Sequence, residues 1–141
     1  MNPKPEKPHR LRQLFLSYDP AIYFITLCTF DRKPLLANNP VHEQFFHFAQ
    51  MCQNKGIAFG RYVIMPDHIH FFIRAAPGIR IGTTIRLLKR SLSAKIQADA
   101  PHWQPGFFDH VLRHSESYTE KWNYVRMNPV RASLTISPEE W

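Results

Sequence analysis

The hydrophobic positions of this chain follow two periods, and together they predict a mixed α+β fold. A β-branched and aromatic run at residues 23–30 ends at a polar turn, which is typical of a strand. Residues 57–64 and 68–74 are predicted to form two more strands, joined by the tight turn Met65-Pro66-Asp67. Residues 107–113 are predicted to be a fourth strand.

Two intervening segments have the period of an amphipathic helix. The first is predicted to begin with Asn39 as its cap and Pro40 at the first helical position, and to end near Gly56. Its apolar residues recur three and four positions apart, namely Val41, Phe45, Phe48 and Cys52. The second helix has the same spacing in Ile81, Ile85, Leu88, Leu92 and Ile96.

The predicted order is β-α-β-β-α-β, followed by one more helix. This order is typical of the ferredoxin-like arrangement, an antiparallel sheet with two helices on one face and the other face free for a site. A chain of 141 residues is long enough for one hydrophobic core and too short for two ordinary domains. We expect a basic, proline-rich mobile tail at residues 1–12 and a single domain at residues 13–141.

The additional C-terminal helix is predicted to begin near Ser115 or Ser117 and to end at Pro129. Its apolar stripe consists of Tyr118, Trp122 and Val125. Tyr124 and Asn128 are four residues apart and fall on a different side, where they could supply a nucleophile and an amide oxygen. The spacing alone favours a packing tyrosine and an asparagine that stops the helix before proline.

The tripeptide His68-Ile69-His70 carries the clearest chemical signal. Residues two apart on a strand point to the same face, so the two imidazoles are predicted to lie side by side while Ile69 packs beneath them. Such a pair suggests a metal site. The alternative is that each histidine is satisfied by a local hydrogen bond.

Charge and composition further restrict the range of possible functions. Eighteen Lys and Arg against eleven Asp and Glu give a net charge of +7, which favours a polyanionic partner. No apolar run approaches the roughly 20 residues of a membrane span, and the first residues lack the apolar core of a signal peptide. We therefore expect a cytoplasmic protein. Cys28 and Cys52 lie in apolar segments without CxxC spacing and are predicted to be reduced core residues.

Three segments, taken in their order and spacing, resemble one family. They are YVIMPDHIHFF, WQPGFFDHVLR and SYTEKWNYVRMNPVRASL, and they resemble REP-associated tyrosine transposases, relatives of the single-tyrosine HUH (histidine, hydrophobe, histidine) transposases. The likeness covers nearly all of residues 23–134. It implies that His68 and His70 hold Mg²⁺ or Mn²⁺, that Tyr124 is the nucleophile, and that Asn128, commonly Gln in insertion-sequence relatives, is a third ligand. Ser133 stands where many relatives have glycine.

The resemblance implies an enzyme that cleaves and rejoins single-stranded DNA at palindromic hairpins through a 5'-phosphotyrosine intermediate, located with the nucleoid. Under it, phosphate contacts are expected from the basic face of the second helix, namely Arg86, Lys89, Arg90 and Lys95. Trp103 is expected to be exposed and to stack unpaired bases, and Lys121 to contact DNA near the nucleophile. Whether the protein acts as a monomer or a homodimer is left open.

Three alternatives remain at this point. Tyr118 competes with Tyr124 as the nucleophile. A non-catalytic ferredoxin-like module would bind single-stranded nucleic acid on strand aromatics such as Phe72, which shares the face of the histidines. A metal-dependent hydrolase would attack phosphodiesters with an activated water and would form no covalent adduct.

Overall fold

Four strands form one antiparallel sheet in the order β2-β3-β1-β4. The structure is a computed structural model, and it describes residues 21–112 and 115–141. The strands are β1 (Ile22–Cys28), β2 (Ile57–Ile64), β3 (His68–Ala75) and β4 (Phe108–Leu112). The predicted α+β class and the order β-α-β-β-α-β are therefore present. The predicted tail at residues 1–12 lies outside the described residues.

The helices of the described residues are α1 (Asn39–Gln53), α2 (Ile81–Ser93), α3 (Ser115–Val125) and the short α4 (Asn128–Arg131). The cap of α1 is Asn38 and not Asn39, because the Asn38 side-chain oxygen accepts the Val41 N–H at 3.1 Å. The prediction that Pro129 ends the last long helix is wrong, since α3 ends at Val125 and Pro129 lies inside α4. Proline is tolerated there because a first-turn N–H has no helical partner.

Four strand ends also differ from the prediction, and two of them, at Ile22 and Ala75, only extend their strands by one residue. β1 ends at Cys28, and a 3₁₀ turn at Phe30–Arg32 follows in which Asp31 and Arg32 have φ of 56° and 53°. A left-handed backbone at these positions cannot continue a strand. β4 begins at Phe108, one residue later than predicted. Its expected last residue, Arg113, lies outside the described residues.

One face of the sheet packs against α1 and α2 and contains the main core. Alternate residues of the central strands point to this face and are buried, namely Tyr23, Ile25, Leu27, Ile69, Phe71 and Ile73. The periodic apolar residues of α1 and α2 meet them, including Phe45 and Leu88, which are both fully buried. Cys28 and Cys52 are buried and unpaired, as predicted. Among the described helices, none combines the length and apolar composition that a membrane span requires.

The other face, here called the second face, is covered in part by α3. A smaller cluster joins Phe24, Val63, Phe72 and Leu112 of the sheet to Val125, with Tyr118 and Trp122 packed beside it. The predicted apolar stripe of the last helix is thus confirmed. Gly60 allows this contact, because a Cβ there would lie 2.9 Å from the Tyr118 hydroxyl. The histidine pair of β3 lies on the same face.

Candidate active site

The two imidazoles lie side by side on the second face. Their ring centroids are 4.7 Å apart with an interplanar angle of 74°. In the antiparallel ladder, His68 lies opposite Cys28 and His70 opposite Thr26. The pair therefore rests on the two central strands, which are the most rigidly supported part of a small sheet.

His70 is held from the neighbouring strand. Its Nδ1 lies 2.9 Å from the Thr26 hydroxyl, and its ring stacks on Phe24 with centroids 5.1 Å apart. Burial, together with repulsion from the charges of His68, Lys121, Arg131 and Arg32, lowers the pKa of His70 to about 4. The imidazole is therefore neutral at physiological pH. With Nδ1 occupied by Thr26, Nε2 is the nitrogen left to bind a ligand.

His68 is held by a carboxylate. Its Nδ1 donates to Asp67 Oδ1 at 2.8 Å, and Arg32 Nε donates to the other oxygen, Oδ2, at 3.0 Å. Partial burial would raise the pKa of Asp67, but the hydrogen bonds and charges of His68 and Arg32 outweigh it, and the net pKa is lowered. The carboxylate is therefore ionised and holds the His68 ring by Nδ1, which leaves Nε2 as the nitrogen that can bind a ligand.

These contacts fit metal-ligating histidines. Such residues almost always donate one ring N–H to a carboxylate, a hydroxyl or a carbonyl, which orients the other nitrogen toward the ion. Both imidazoles have this support, from Thr26 and from Asp67. Among the described residues, no third His, Cys, Asp or Glu lies close enough to complete a group of three that could hold a metal ion. A further ligand would have to be an amide, a water or a substrate oxygen.

The two candidate tyrosines have different environments. Tyr118 stacks on Phe72 with centroids 4.2 Å apart, and its hydroxyl accepts the Arg61 backbone N–H at 3.3 Å. These contacts anchor α3 to the sheet. Tyr124 points away from the apolar stripe and is 63% exposed, so its hydroxyl is accessible to a DNA strand. The geometry thus assigns packing to Tyr118 and leaves Tyr124 available for chemistry.

Arg131 joins Tyr124 to Asn128. Its guanidinium carbon lies 4.0 Å from the Tyr124 ring centroid, and Nη1 donates to the Tyr124 carbonyl at 2.8 Å. Nη2 donates to the side-chain oxygen of Asn128. The charge of Arg131 also contributes to the low pKa of His70, so this group lies within electrostatic reach of the imidazoles. Asn128 Oδ1 already accepts one hydrogen bond, and one lone pair remains for a ligand.

The residues expected to contact DNA are divided between the two faces. Lys121 lies on the second face, with Nζ 4.7 Å from the Phe24 ring centroid and near His70. Helix α2 packs on the opposite face, where Arg86, Arg90 and Lys95 are exposed. Lys89 is partly buried and donates to the carbonyls of Gln104 and Gly106 at 2.9 and 2.5 Å, so its ammonium holds a loop in place.

Trp103 is not the exposed aromatic that the sequence suggested. Its ring packs against the main core, and Nε1 donates to the Lys89 carbonyl at 3.2 Å and the Ser93 hydroxyl at 3.0 Å. A tryptophan in a proline- and glycine-containing loop was expected to face water. The loop instead folds back onto α2, because the Trp103 N–H finds partners there.

Sequence reasoning missed four residues that support the site. Asp67 directly precedes His68, and this adjacency was a usable signal. Arg32 and Thr26 reach the histidines only through the antiparallel pairing of β1 with β3, and Arg131 only through the turn between α3 and α4. No local pattern reveals these contacts.

The sequence matches the family described as "Transposase IS200 like" over residues 17–125, well over half of its length. The chain belongs to the IS200-like transposase family. It is therefore an enzyme of DNA transposition.

The individual relatives have low sequence identity to this chain. A Haemophilus influenzae protein provisionally named a REP-associated tyrosine transposase is 22% identical over 134 residues, which cover 85% of this chain and 76% of the relative. A solved REP-associated tyrosine transposase bound to a REP hairpin superposes with a TM-score of 0.71 at 20% identity, covering 89% of this chain and 76% of that one. A provisionally assigned transposase of Deinococcus radiodurans superposes with a TM-score of 0.56 at 15% identity, and the match covers 77% of this chain and 91% of that one. These structures share the fold.

Proposed function

We propose that this IS200-like transposase cuts and rejoins single-stranded DNA at palindromic hairpins, with Tyr124 as the nucleophile. The observation that carries the proposal is an exposed tyrosine whose partner Arg131 lies within electrostatic reach of two oriented imidazoles, of which His70 is neutral. The hairpin substrate is inferred from the solved relative, which was bound to a REP hairpin. The net charge of +7 suits such a partner. The proposal places the protein in the cytoplasm, with the nucleoid.

The proposed reaction exchanges one phosphate ester for another. The Tyr124 oxygen attacks the scissile phosphorus and forms an O–P bond, while the bond from phosphorus to the 3' oxygen breaks. The phenol proton is lost, and the departing oxygen takes up a proton to become a 3' hydroxyl. Because the 5'-phosphotyrosine keeps the ester, a DNA 3' hydroxyl can later reverse the step.

Tyrosine is a weak nucleophile because its ordinary pKa is about 10. The Arg131 guanidinium lies over the Tyr124 ring, where its positive charge can stabilise negative charge that develops during the attack. Arg131 also fixes the backbone of Tyr124 through the Tyr124 carbonyl. We assign Arg131 the role of positioning the nucleophile.

A divalent ion held by the Nε2 atoms of His68 and His70 would stabilise the negative charge that develops on the scissile phosphate. Of the two ions considered, Mn²⁺ accepts nitrogen ligands better, whereas Mg²⁺ prefers oxygen ligands in a strict octahedron. Asn128 is the proposed third ligand. Its oxygen is shared with Arg131, so it would be a weaker ligand than the imidazoles.

The two rival functions are less well supported. A sheet that binds RNA bases needs exposed strand aromatics. Phe72 and Phe24 are 1% and 6% exposed, because α3 and Lys121 lie over them. Phe108, at the start of the edge strand β4, is the one exposed Phe, Tyr or Trp of the four strands. A hydrolase using water would leave the exposed Tyr124 and its Arg131 contact without a role.

The test is a denaturing gel of protein incubated with end-labelled hairpin DNA and Mn²⁺. Wild type should give a covalent DNA–protein band, and Tyr124→Phe should give none, because the ring stays and the attacking oxygen is gone. Tyr118→Phe is the matched control and should keep the band, with a modest loss of thermal stability from its missing hydrogen bond. Loss of the band in Tyr118→Phe alone would transfer the nucleophile to Tyr118. Cutting without any band would favour the hydrolase.

The metal requirement is tested in the same reaction. His70→Ala or a chelator should abolish the band, while hairpin affinity stays within several-fold, because affinity depends on phosphate contacts. Arg74→Ala, on the same face of β3, is the control and should retain cleavage. Full cleavage in chelator would exclude the proposed ion.

A further inference from the structure

Arg32 lies at the end of the histidine pair that is away from Lys121. Its Nη2 atom is 3.3 Å from His68 Nδ1. At the other end, Lys121 lies over the Phe24 ring, which in turn stacks on His70. The two imidazoles are therefore placed between two cationic side chains, one on the turn after β1 and one on α3.

The Arg32 guanidinium has hydrogen-bonding capacity that the protein does not use. Its Nε donates to Asp67 Oδ2 at 3.0 Å. The ionised carboxylate can only accept, so the 2.8 Å contact between Asp67 Oδ1 and His68 Nδ1 requires the proton on Nδ1. Arg32 Nη2 therefore approaches another donor at 3.3 Å and makes no hydrogen bond there. Nη1 has no acceptor among the described residues, and the Arg32 side chain is 52% exposed.

The turn that carries Arg32 is fixed in an unfavourable backbone conformation. Asp31 and Arg32 have φ of 56° and 53°, in the left-handed region that residues with a Cβ rarely occupy. Thr29 holds the turn, because its N–H donates to the Asp67 carbonyl at 3.0 Å and its hydroxyl donates to the Lys33 carbonyl at 2.9 Å. Such strain persists only where surrounding contacts over-determine the backbone, and it clusters at functional sites.

We propose that Arg32 binds the phosphate next to the scissile phosphate in the DNA strand that the enzyme cuts. The scissile phosphate faces the Nε2 atoms of the two histidines, whereas Arg32 lies on the Nδ1 side of His68. A phosphate on that side offers oxygens to Nη1 and Nη2, in the forked geometry that guanidinium groups form with phosphates. The contact helps to set which bond of the strand reaches the histidine pair.

A phosphate within a strand fits this position better than a free anion. A single exposed guanidinium that also bonds a carboxylate holds a free anion weakly. A phosphate tethered to one that already lies at the histidine pair arrives at a high effective concentration. The inference therefore rests on the proposed function, because it assumes that a DNA strand reaches the second face.

The experiment replaces single phosphates of a flanked hairpin by neutral methylphosphonates. Cleavage by wild type in Mn²⁺ first locates the scissile position, and affinity is then measured in chelator, so that neither metal nor chemistry contributes. In wild type, the methylphosphonate beside the scissile position should cost about fivefold in affinity, the upper range for an exposed ion pair. In Arg32→Gln the same replacement should cost less than twofold, because the charge that meets this phosphate is absent. The slope of log affinity against log salt should also fall by about 1.

Two further variants separate phosphate binding from support of the histidines. Asp67→Asn removes the carboxylate that joins Arg32 to His68 but keeps the guanidinium, so it should retain the methylphosphonate penalty while its cleavage rate falls. Arg74→Gln is the matched control and should retain both the penalty and the rate. Arg74 is an exposed arginine on the same face of β3, about 20 Å from His68 at the other end of the strand. Thermal melting of each variant verifies folding.

Equal methylphosphonate profiles in wild type and Arg32→Gln would overturn the inference and leave the proposed function intact. Loss of the penalty in Asp67→Asn as well would show that Arg32 acts only through the carboxylate, and this result would also overturn the inference. A wild type that binds no flanked hairpin would instead overturn the proposed function, and the inference with it.

Discussion

At the scale of single residues, the two imidazoles are oriented by partners of different kinds. His68 is held by an ionised carboxylate, and His70 by a neutral hydroxyl from the neighbouring strand. A charge-assisted bond is the stronger of the two and keeps its geometry better. His70 has the weaker hydrogen bond, but its ring is also held by stacking on Phe24 and by burial. The Thr26 hydroxyl is therefore the contact whose loss would most directly free a ring to rotate.

We expect Thr26→Val to lower the cleavage rate ten- to a hundredfold, the range seen when outer partners of metal-bound histidines are removed. Valine keeps the shape and strand preference of threonine but offers Nδ1 no partner. Hairpin affinity should change less than twofold, and the Mn²⁺ concentration for half-maximal cleavage should rise. Thr83→Val, on exposed α2, is the control. An unchanged rate would mean that Thr26 does not orient His70.

The sequence predicted the placement of those residues whose position depends only on the strand or helix repeat. The strand repeat places His68 beside His70, and the helical repeat separates Tyr124 from the packing stripe. It could not predict Thr26 or Arg131, whose contacts depend on strand register and on a turn between helices. Trp103 shows the same limit, because exposure in a loop depends on where the loop folds back.

At the scale of elements, the break between α3 and α4 shapes the site. α3 ends at Val125, and α4 begins at Asn128, which brings Arg131 back over Tyr124. Proline after asparagine was interpreted as a helix stop, but it also fits the first turn of a new helix. The local sequence permits both, and packing decides between them, since Pro129 is buried.

The backbone at the end of α4 is left-handed at position 133. Ser133 has φ of 61°, its N–H donates to the Val130 carbonyl at 2.9 Å, and the Leu134 N–H donates to the Pro129 carbonyl at 2.8 Å. These are the two bonds of a Schellman motif, in which glycine is preferred at the left-handed position. A glycine at position 133, which the family resemblance leads us to expect, would thus have a conformational reason.

Ser133→Gly should stabilise the protein by roughly 0.5–1 kcal/mol, because glycine adopts the left-handed backbone without the strain of a Cβ. For a chain of this length, that corresponds to a rise of about 2 °C in Tm, measured by calorimetry. Ser133→Ala is the control and should not stabilise, since alanine keeps the Cβ. Equal gains in both variants would place the cause in the serine hydroxyl.

At the scale of the whole molecule, the sheet separates two positively charged regions. Arg86, Arg90 and Lys95 lie with α2 on the face opposite the histidines, whereas Lys121 lies beside them. The exposed side of α2 is a helix diameter, roughly 10 Å, beyond the sheet. The Debye length is about 10 Å at 0.1 M salt, so these charges are largely screened from the scissile phosphate. Their effect is expected on DNA capture and not on chemistry.

Replacing Arg86, Arg90 and Lys95 together by glutamine should therefore weaken hairpin binding severalfold at about 50 mM salt, and less at 200 mM, because fewer counterions are released. The cleavage rate at saturating DNA should stay within twofold of wild type. Lys121→Gln should show the opposite behaviour, with a small effect on affinity and a lower saturating rate, because its charge lies near His70. Single-turnover rates against DNA concentration separate the two effects. A tenfold lower saturating rate in the triple variant would mean that the DNA wraps around the sheet to reach both faces.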